Sequence, residues 1–311
     1  MPAGNSHRPV FLQEAVAGLA IQPEGIYVDG TYGRGGHSRE IVAQLGPRGR
    51  LIAIDRDPEA VAAGKSAWLG DQRVVIYRGA FSMLERIAQQ EGVSGRVNGV
   101  LLDLGVSSNQ LDDPKRGFSF QHDGPLDMRM DPDSGESVAA WLNRATQEEI
   151  AEIIRTYGEE RYAGRIARAI VGSRGNAPLT GSQQLAQIVS AAVPSRERHK
   201  HPATRTFQAL RIFINREIDE LRAALDQCLR VLAPKARLAV ISFHSLEDRL
   251  VKRFIRDHSR EAPPDKRMPW LQQSAPPLLK PVGKAIRPQD EEIAANVRAR
   301  SAILRIAERA A

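Results

Sequence analysis

Between Val28 and Ser38 the chain reads VDGTYGRGGHS, with four glycines in seven positions, an aspartate ahead of them and a histidine behind. Glycines this dense at the end of a strand let a loop backbone approach a ligand with no side chain in the way. Gly33 and Gly35 match the first pair of the dinucleotide fingerprint G-x-G-x-x-G, but its third position falls on Ser38. Twenty residues beyond Gly35 stands Asp55, at the end of the apolar run RLIAI. An acid at that spacing can accept hydrogen bonds from both hydroxyls of a ribose, which serves any adenosine cofactor.

Two more acids bear on which cofactor that is. Asp29 closes the apolar run before the glycines, and Asp103 closes the run VNGVLLD. A carboxylate at Asp29 can be aimed, directly or through water, at a ligand ammonium. Strand-end acids also cap turns, and Asp29 and Asp103 are open to that reading too. Three acids around one crevice suit a cationic ligand and repel a pyrophosphate. S-adenosylmethionine carries a sulfonium, an amino group and a ribose, and fits that balance better than NAD. An NAD(P)-dependent oxidoreductase, with Arg56 beside Asp55 meeting a 2′-phosphate, stays open on these residues.

The elements that must position these groups follow from hydrophobic pattern. Short strands are expected at Gly25–Gly30, Arg50–Ile54, Val74–Tyr77 and Val97–Leu104. Helical spacing runs from His37 to Leu45, and Pro58 opens another helix where its missing N–H costs nothing. This rhythm reads as a doubly wound α/β domain with a mostly parallel sheet. It breaks after Gln110. Asp112–Asp133 reads as an ordered loop, and Ser137–Val193 as several helices with starts at Thr146 and Thr180. Thr206–Leu232 is expected as one long amphipathic helix, Arg237–Phe243 as a fifth strand and Leu246–His258 as a helix. The proline-rich basic stretch Glu261–Pro288 reads as loop, followed by a helix near Asp290–Arg300 and a strand near Ile303–Ile306. The domains expected are residues 1–110 with 203–311 as the α/β core, and 111–202 as an inserted all-helical domain.

The whole chain bounds the rest. It has 311 residues, 42% of them apolar, and a formal net charge of +7, which favours an anionic partner. A single cysteine, Cys228, excludes a disulfide framework within the chain. With no signal-like start and no apolar run of membrane-spanning length, a cytoplasmic protein without membrane contact is expected.

Longer motifs then carry a resemblance. VDGTYGRGGHS, AIDRDP (Ala53–Pro58), LLDLGVSSNQLDD (Leu101–Asp113), RGFSF (Arg116–Phe120), DGPLDMRMD (Asp123–Asp131), HPATRTFQALRIFIN (His201–Asn215), SFHSLEDR (Ser242–Arg249) and RARSAILRIAER (Arg298–Arg309) run nearly end to end. Together they resemble the bacterial MraW/RsmH family of S-adenosylmethionine-dependent methyltransferases of small-subunit ribosomal RNA. The resemblance implies a Rossmann-like class I methyltransferase core with an inserted helical domain. It implies transfer of a methyl group to the exocyclic amine of one cytidine in the decoding centre of 16S rRNA, on the assembled small subunit. It places the cofactor on Gly35, Gly36, His37, Asp55, Phe81, Asp103 and Gln110. Phe81 stands in GAFS where the family often has GPFS, Asn109 stands where proline is frequent, and APKARL lacks the glycine pair often seen before the fifth strand.

For the chemistry, an acceptor at the hydrogens of the cytosine amine would stabilise the charge that develops on nitrogen. Asp103 is one candidate, and His244 after the fifth strand is the other. The Asn/Asp/Ser-Pro-Pro-aromatic loop of many amino-methyltransferases is absent. Cys228 sits among apolar helix neighbours and reads as an inert buried thiol, which speaks against attack at pyrimidine carbon 5. No metal is expected: His199 and His201 read as surface residues facing RNA, and Asp123, Asp127, Asp131 and Asp133 as turn and cap residues. RNA contact is expected at Arg196, Arg198, Lys200 and Arg205, in a cluster with Arg211 and Arg216. The basic residues of the Leu246–His258 helix and of the proline-rich stretch are read as solvated surface. A homodimer is compatible with the sequence. A non-catalytic RNA-binding protein of ribosome assembly is the other alternative.

Overall fold

The computed structural model describes residues 9–194, 201–261 and 276–311. The chain divides into two compact units, one formed by the segments up to Gly105 and from Ile218, the other by Val106–Glu217.

The first unit is built on a seven-stranded sheet in the order β3-β2-β1-β4-β5-β7-β6. Its strands are β1 (Ile26–Asp29), β2 (Arg50–Asp55), β3 (Val74–Arg78), β4 (Val97–Asp103), β5 (Leu232–Ser242), β6 (Leu279–Pro281) and β7 (Ile303–Arg309). Strands β1 to β5 pair in parallel, while β7 runs antiparallel to both β5 and β6. This is the strand order and direction of a Rossmann-like class I methyltransferase core. The apolar runs are continuous because both faces are covered. Along β4, Val100 and Leu102 pack into one core with Val240, Leu225 and Phe254, while Leu101 packs into another with Tyr27, Ile41 and Ile241. The flanking helices are α1 (Leu12–Gly18), α2 (Gly36–Gln44), α3 (Pro58–Ala67) and α4 (Leu84–Gln90), then α11 (Glu217–Val231), α12 (Ser245–His258) and α13 (Asp290–Ala295).

The second unit is helical: α5 (Ser108–Asp112), α6 (Val138–Arg144), α7 (Gln147–Gly158), α8 (Ala163–Arg174), α9 (Ser182–Ala192) and α10 (Thr204–Asn215). Thr146 caps α7 in a reciprocal capping box with Glu149. Ile150 and Ile154 of α7, Ile166 and Ile170 of α8, and Leu185 and Val189 of α9 share one core with Phe207 and Leu210 of α10. That membership makes the unit wider at both ends than the expected 111–202.

The single helix expected over Thr206–Leu232 is two. Arg216 takes the left-handed conformation with φ 53°, ending α10. The break is held from outside the helix. Buried Asn215 donates to the Met128 carbonyl at 2.7 Å and accepts the Met130 N–H at 2.8 Å, tying α10 to the Asp/Gly/Pro loop. Lys235 in β5 has φ 66°, so the segment without the family's glycines still makes the turn that glycine would favour.

Candidate cofactor site and catalytic edge

Beyond β1 the order reverses, so β1 and β4 are neighbours whose connections leave on opposite sides. Ligands of open α/β sheets bind at this switch point, outside the carboxyl ends of the strands. Asp29, Asp55 and Asp103 are the last residues of β1, β2 and β4.

The loop after β1 is held by acids. Asp29 is 1% exposed. Its two oxygens accept the Thr31 N–H at 3.1 Å and the Ser38 hydroxyl at 2.6 Å. The Thr31 hydroxyl in turn accepts the Asp103 N–H at 2.7 Å, joining the ends of β1 and β4. Each oxygen of Asp29 has one bond to the loop, and the side chain is buried behind it. Its part is to fix Thr31 and Ser38 and to add negative charge behind Asp103. Burial holds its carboxyl above the usual range.

The glycines serve internal geometry as well as approach. Gly35 caps α2 with φ 70°, and a Cβ there would lie 2.5 Å from the Tyr32 hydroxyl. A Cβ on Gly36 would lie 2.2 Å from the ring of Pro9. Asp55 crosses to the same loop, accepting the Gly33 N–H at 2.6 Å and the Asp57 N–H at 2.9 Å. An ionised carboxylate has about four acceptor positions, so each oxygen of Asp55 can still take a ribose hydroxyl. Burial, with the charges of Asp57 and Asp29, pushes its pKa up to about 6. Phe81 opens the short turn after β3; it is half-buried, its Cβ close to Gly30. An apolar ring in that place can lie against an adenine.

Asp103 differs from the other two acids. Its Oδ1 is buried and has no hydrogen-bond partner among the described residues. Burial first, then the charges of Asp29 and Glu247, push its pKa up to about 8. His37 Nδ1 lies 3.7 Å from Oδ2. His37 Nε2 is 3.2 Å from the Val10 carbonyl, which places the proton on Nε2 and turns the Nδ1 lone pair toward Asp103. Burial pulls the His37 pKa down to about 4, so the ring is neutral at physiological pH and does not offset the acids. An adjacent hydroxyl, Ser242 Oγ at the end of β5, is also buried without a partner among the described residues.

His244 begins α12 as its cap. Its Nδ1 accepts the Glu247 N–H at 3.4 Å, and Nε2 lies 3.1 Å from Glu247 Oε1 but off the hydrogen-bond line. Glu247, 2% exposed, accepts the Phe243 N–H at 2.8 Å and the His244 N–H at 3.3 Å. Sequence reasoning missed Thr31 and Glu247. A Glu three residues after a cap position is a known signal, but histidine is outside the usual set of caps.

The remaining expected site residues belong to the helical unit or lie outside the described residues. Gln110 is buried, and its side-chain oxygen accepts the Ser107 N–H at 3.0 Å in the capping box of α5. Arg205 donates to the Glu159 carbonyl at 3.3 Å. Arg211, grouped with the RNA cluster, is half-buried in a two-pronged pair with Glu217, both bonds 2.8 Å. Arg196, Arg198, His199 and Lys200 lie outside the described residues. The acid-rich loop does local work: Asp123 accepts the Gln183 N–H at the start of α9, and Asp127 pairs with Arg129. His201 Nδ1 accepts the Ala203 N–H, and its ring stacks on Phe120.

The sheet unit therefore offers a crevice edged by Asp29, Asp55 and Asp103, each held above its ordinary pKa and none offset by a cation from His37. A sulfonium and an ammonium would relieve that repulsion, whereas a pyrophosphate would add to it. The residues present fit S-adenosylmethionine.

Comparison with known proteins agrees. The pattern of the MraW methylase family matches residues 4–310. "Ribosomal RNA small subunit methyltransferase H" of Thioalkalivibrio sulfidiphilus is 56% identical over 308 residues, covering 98% of each chain. The protein of the same name from Coxiella burnetii is 56% identical over 304 residues, covering 98% of this chain and 99% of its own. A putative methyltransferase from Streptococcus mutans in complex with SAH overlays with a TM-score of 0.43 at 11% identity, covering 96% of this chain and 97% of that one. The chain belongs to the MraW methylase family.

Proposed function

We propose that the chain methylates 16S rRNA, transferring the methyl group of S-adenosylmethionine to the exocyclic amine of a cytidine in the decoding centre, with the assembled small subunit as substrate. The relatives' name supports the small-subunit rRNA, and the family resemblance of the motifs supports the cytidine amine. The observation that carries the chemistry is Asp103, whose unpartnered Oδ1 stands at the carboxyl end of β4 with raised proton affinity.

Bound S-adenosylmethionine supplies an electrophilic methyl carbon on a sulfonium. In this reading Asp55 takes the ribose hydroxyls, Phe81 lies against the adenine, and the Gly33–Gly36 backbone approaches the rest of the donor. Gly35, Gly36, His37 and Gln110 complete the cofactor set that the resemblance implies. The cytosine lone pair is delocalised into its ring, so an acceptor for an amine hydrogen must localise it. The Asp103 carboxylate, whose side chain is 25% exposed, is the group available for this. Asp103 would accept the amine proton released on methyl transfer: burial raises its proton affinity, and a bound cationic donor would keep it ionised until then. His244 has its Nδ1 engaged by α12, so it holds the β5–α12 corner and leaves the proton to Asp103. The target base must leave its stack to reach the site.

The test is a transfer assay with labelled S-adenosylmethionine on unmethylated small subunits and on naked 16S rRNA, each digested to nucleosides. Label in amine-methylated cytidine, on subunits and not on naked RNA, is the expected result. Label in neither substrate, with the protein folded and the donor bound, refutes the assignment.

A further inference from the structure

A second concave feature lies in the sheet unit, away from the acids. It is a groove of about 390 Å³ between the outer half of α12, β7 and the turn that follows β6. Its lining includes Lys252, Arg256, Arg260, Lys284 and Arg305, and no acidic residue. Lys252 and Arg256 stand at i and i+4 on α12, and Arg260 follows just past its end at His258, so the three form a basic column along one wall of the groove. Val251 and Phe254 turn into the core, and Ile255, also buried, contributes to the groove floor. Lys284 reaches the groove from the other wall, beside exposed Gly283.

The charges are only partly matched. Arg305 is paired with Asp248 at 2.7 Å and Arg256 with neighbouring Asp257 at 2.7 Å. Lys252, Arg260 and Lys284 have no ion-pair partner among the described residues. Like charges in one column repel, and a surface serving stability alone would intersperse acids among them. The groove is lined by aliphatic carbon and rimmed by exposed cations, with no acid to exclude an anion.

We propose that this groove holds the phosphodiester backbone of the RNA substrate, as a contact separate from the methyl-transfer edge. The proposal rests on rRNA being the substrate. α12 starts at the carboxyl edge with His244 and runs away from it, so Lys252 stands about 12 Å further along the axis. The groove would therefore hold a part of the strand beyond the reacting nucleotide, adding affinity and orientation without touching the chemistry.

The experiment compares the parent protein with the triple variant Lys252→Ala, Arg260→Ala, Lys284→Ala. Affinity for unmethylated small subunits and for 16S rRNA is measured across a salt series. Each phosphate contact contributes about 0.7 to 0.9 to the slope of log affinity against log salt, so the variant's slope should be shallower by about 2 to 3. Affinity near ~0.15 M salt should fall about tenfold or more, with S-adenosylhomocysteine affinity and melting temperature unchanged. The conservative variant Lys252→Arg, Lys284→Arg should retain rRNA affinity. Lysine footprinting should show Lys252 and Lys284 protected by rRNA. Equal affinity and slope for parent and triple variant would overturn the groove and leave the rRNA reading standing. Absence of salt-dependent rRNA binding by the parent would remove that reading and the groove with it. Protection of the two lysines by inorganic phosphate but not by rRNA would assign the groove to a small anion and overturn the proposal.

Discussion

Asp103 makes donor binding depend on pH in a direction and by an amount that can be worked out. Its pKa in the free protein is about 8, through burial and the charges of Asp29 and Glu247. A cation binding beside it favours the carboxylate, so a proton must leave as the donor enters. Below the raised pKa that proton costs affinity. Ionisation is about one half at pH 8 and about one hundredth at pH 6, so affinity should fall about 50-fold, or ~2.3 kcal/mol, across that window. His37, with a pKa of about 4, stays neutral throughout and does not contribute. Isothermal titration in two buffers of different ionisation heat should show about 0.9 proton released at pH 7 beyond that seen with Asp103→Asn. The ligand's own amino group titrates in both proteins, so the difference between them is the measure. Asp103→Asn should bind more weakly at pH 8.5 and lose the steep fall toward pH 6. If parent and variant follow the same profile, Asp103 does not face the cationic part of the donor and the assignment fails.

Stability without ligand carries the opposite sign. A carboxyl whose pKa is raised by folding contributes stability that is lost as pH rises through the folded value. Apo Asp103→Asn should therefore melt above the parent at pH 8.5, with the gap closing toward pH 4. Glu247→Gln should lose about 1–2 kcal/mol in urea melts, because the buried carboxylate accepts two backbone N–H groups at the head of α12. It should also move the pH midpoint of donor affinity downward, since the Glu247 charge raises Asp103. Gly35→Ala forces a side chain to φ 70° against the Tyr32 ring, and should cost about 2 kcal/mol or more in the same melts. Cys228 is buried, with its thiol pushed up to about 12. It should resist thiol reagents until the protein unfolds, and Cys228→Ala should retain methyl transfer while losing about 1 kcal/mol of stability.

How much of this could be read from the sequence depended on whether the cause was local. β1, β2 and β4 are short apolar runs ending in Asp, and the glycines follow at once, so the sheet edge and its loop were visible as pattern. The break at Arg216 was not. TRTFQALRIFINREIDELRAALDQCLRVL keeps helical periodicity throughout and has no Gly or Pro to mark an end. What ends α10 is Asn215 bonding to a loop 85 residues earlier in the chain at Met130, a tertiary cause. The three acids looked alike as strand-end residues. They separate only because Thr31 and Ser38 tie Asp29 to the loop, and Gly33 and Asp57 do the same for Asp55, while Asp103 Oδ1 has no partner among the described residues. Gln110 stands in a motif that carries the resemblance, and its side chain closes a local capping box that the motif does not reveal.

The placement of the helical unit bears on how the chain folds. β4 and β5 are hydrogen-bonded neighbours at the centre of the sheet, yet the whole of Val106–Glu217 lies between them in sequence. Pairing them across a flexible chain carries a loop-closure entropy that grows with the logarithm of its length. The inserted unit has an apolar core of its own, in which α7 packs against α8 and α10, so it can form without the sheet. Collapse of that unit first replaces a long floppy loop by a compact body, and β5 then closes on β4 at lower entropic cost. The strand end bearing Asp103 is thus completed late. A mutation deep in the helical core, at Ile154 or Leu185, would slow completion of the donor site without touching it.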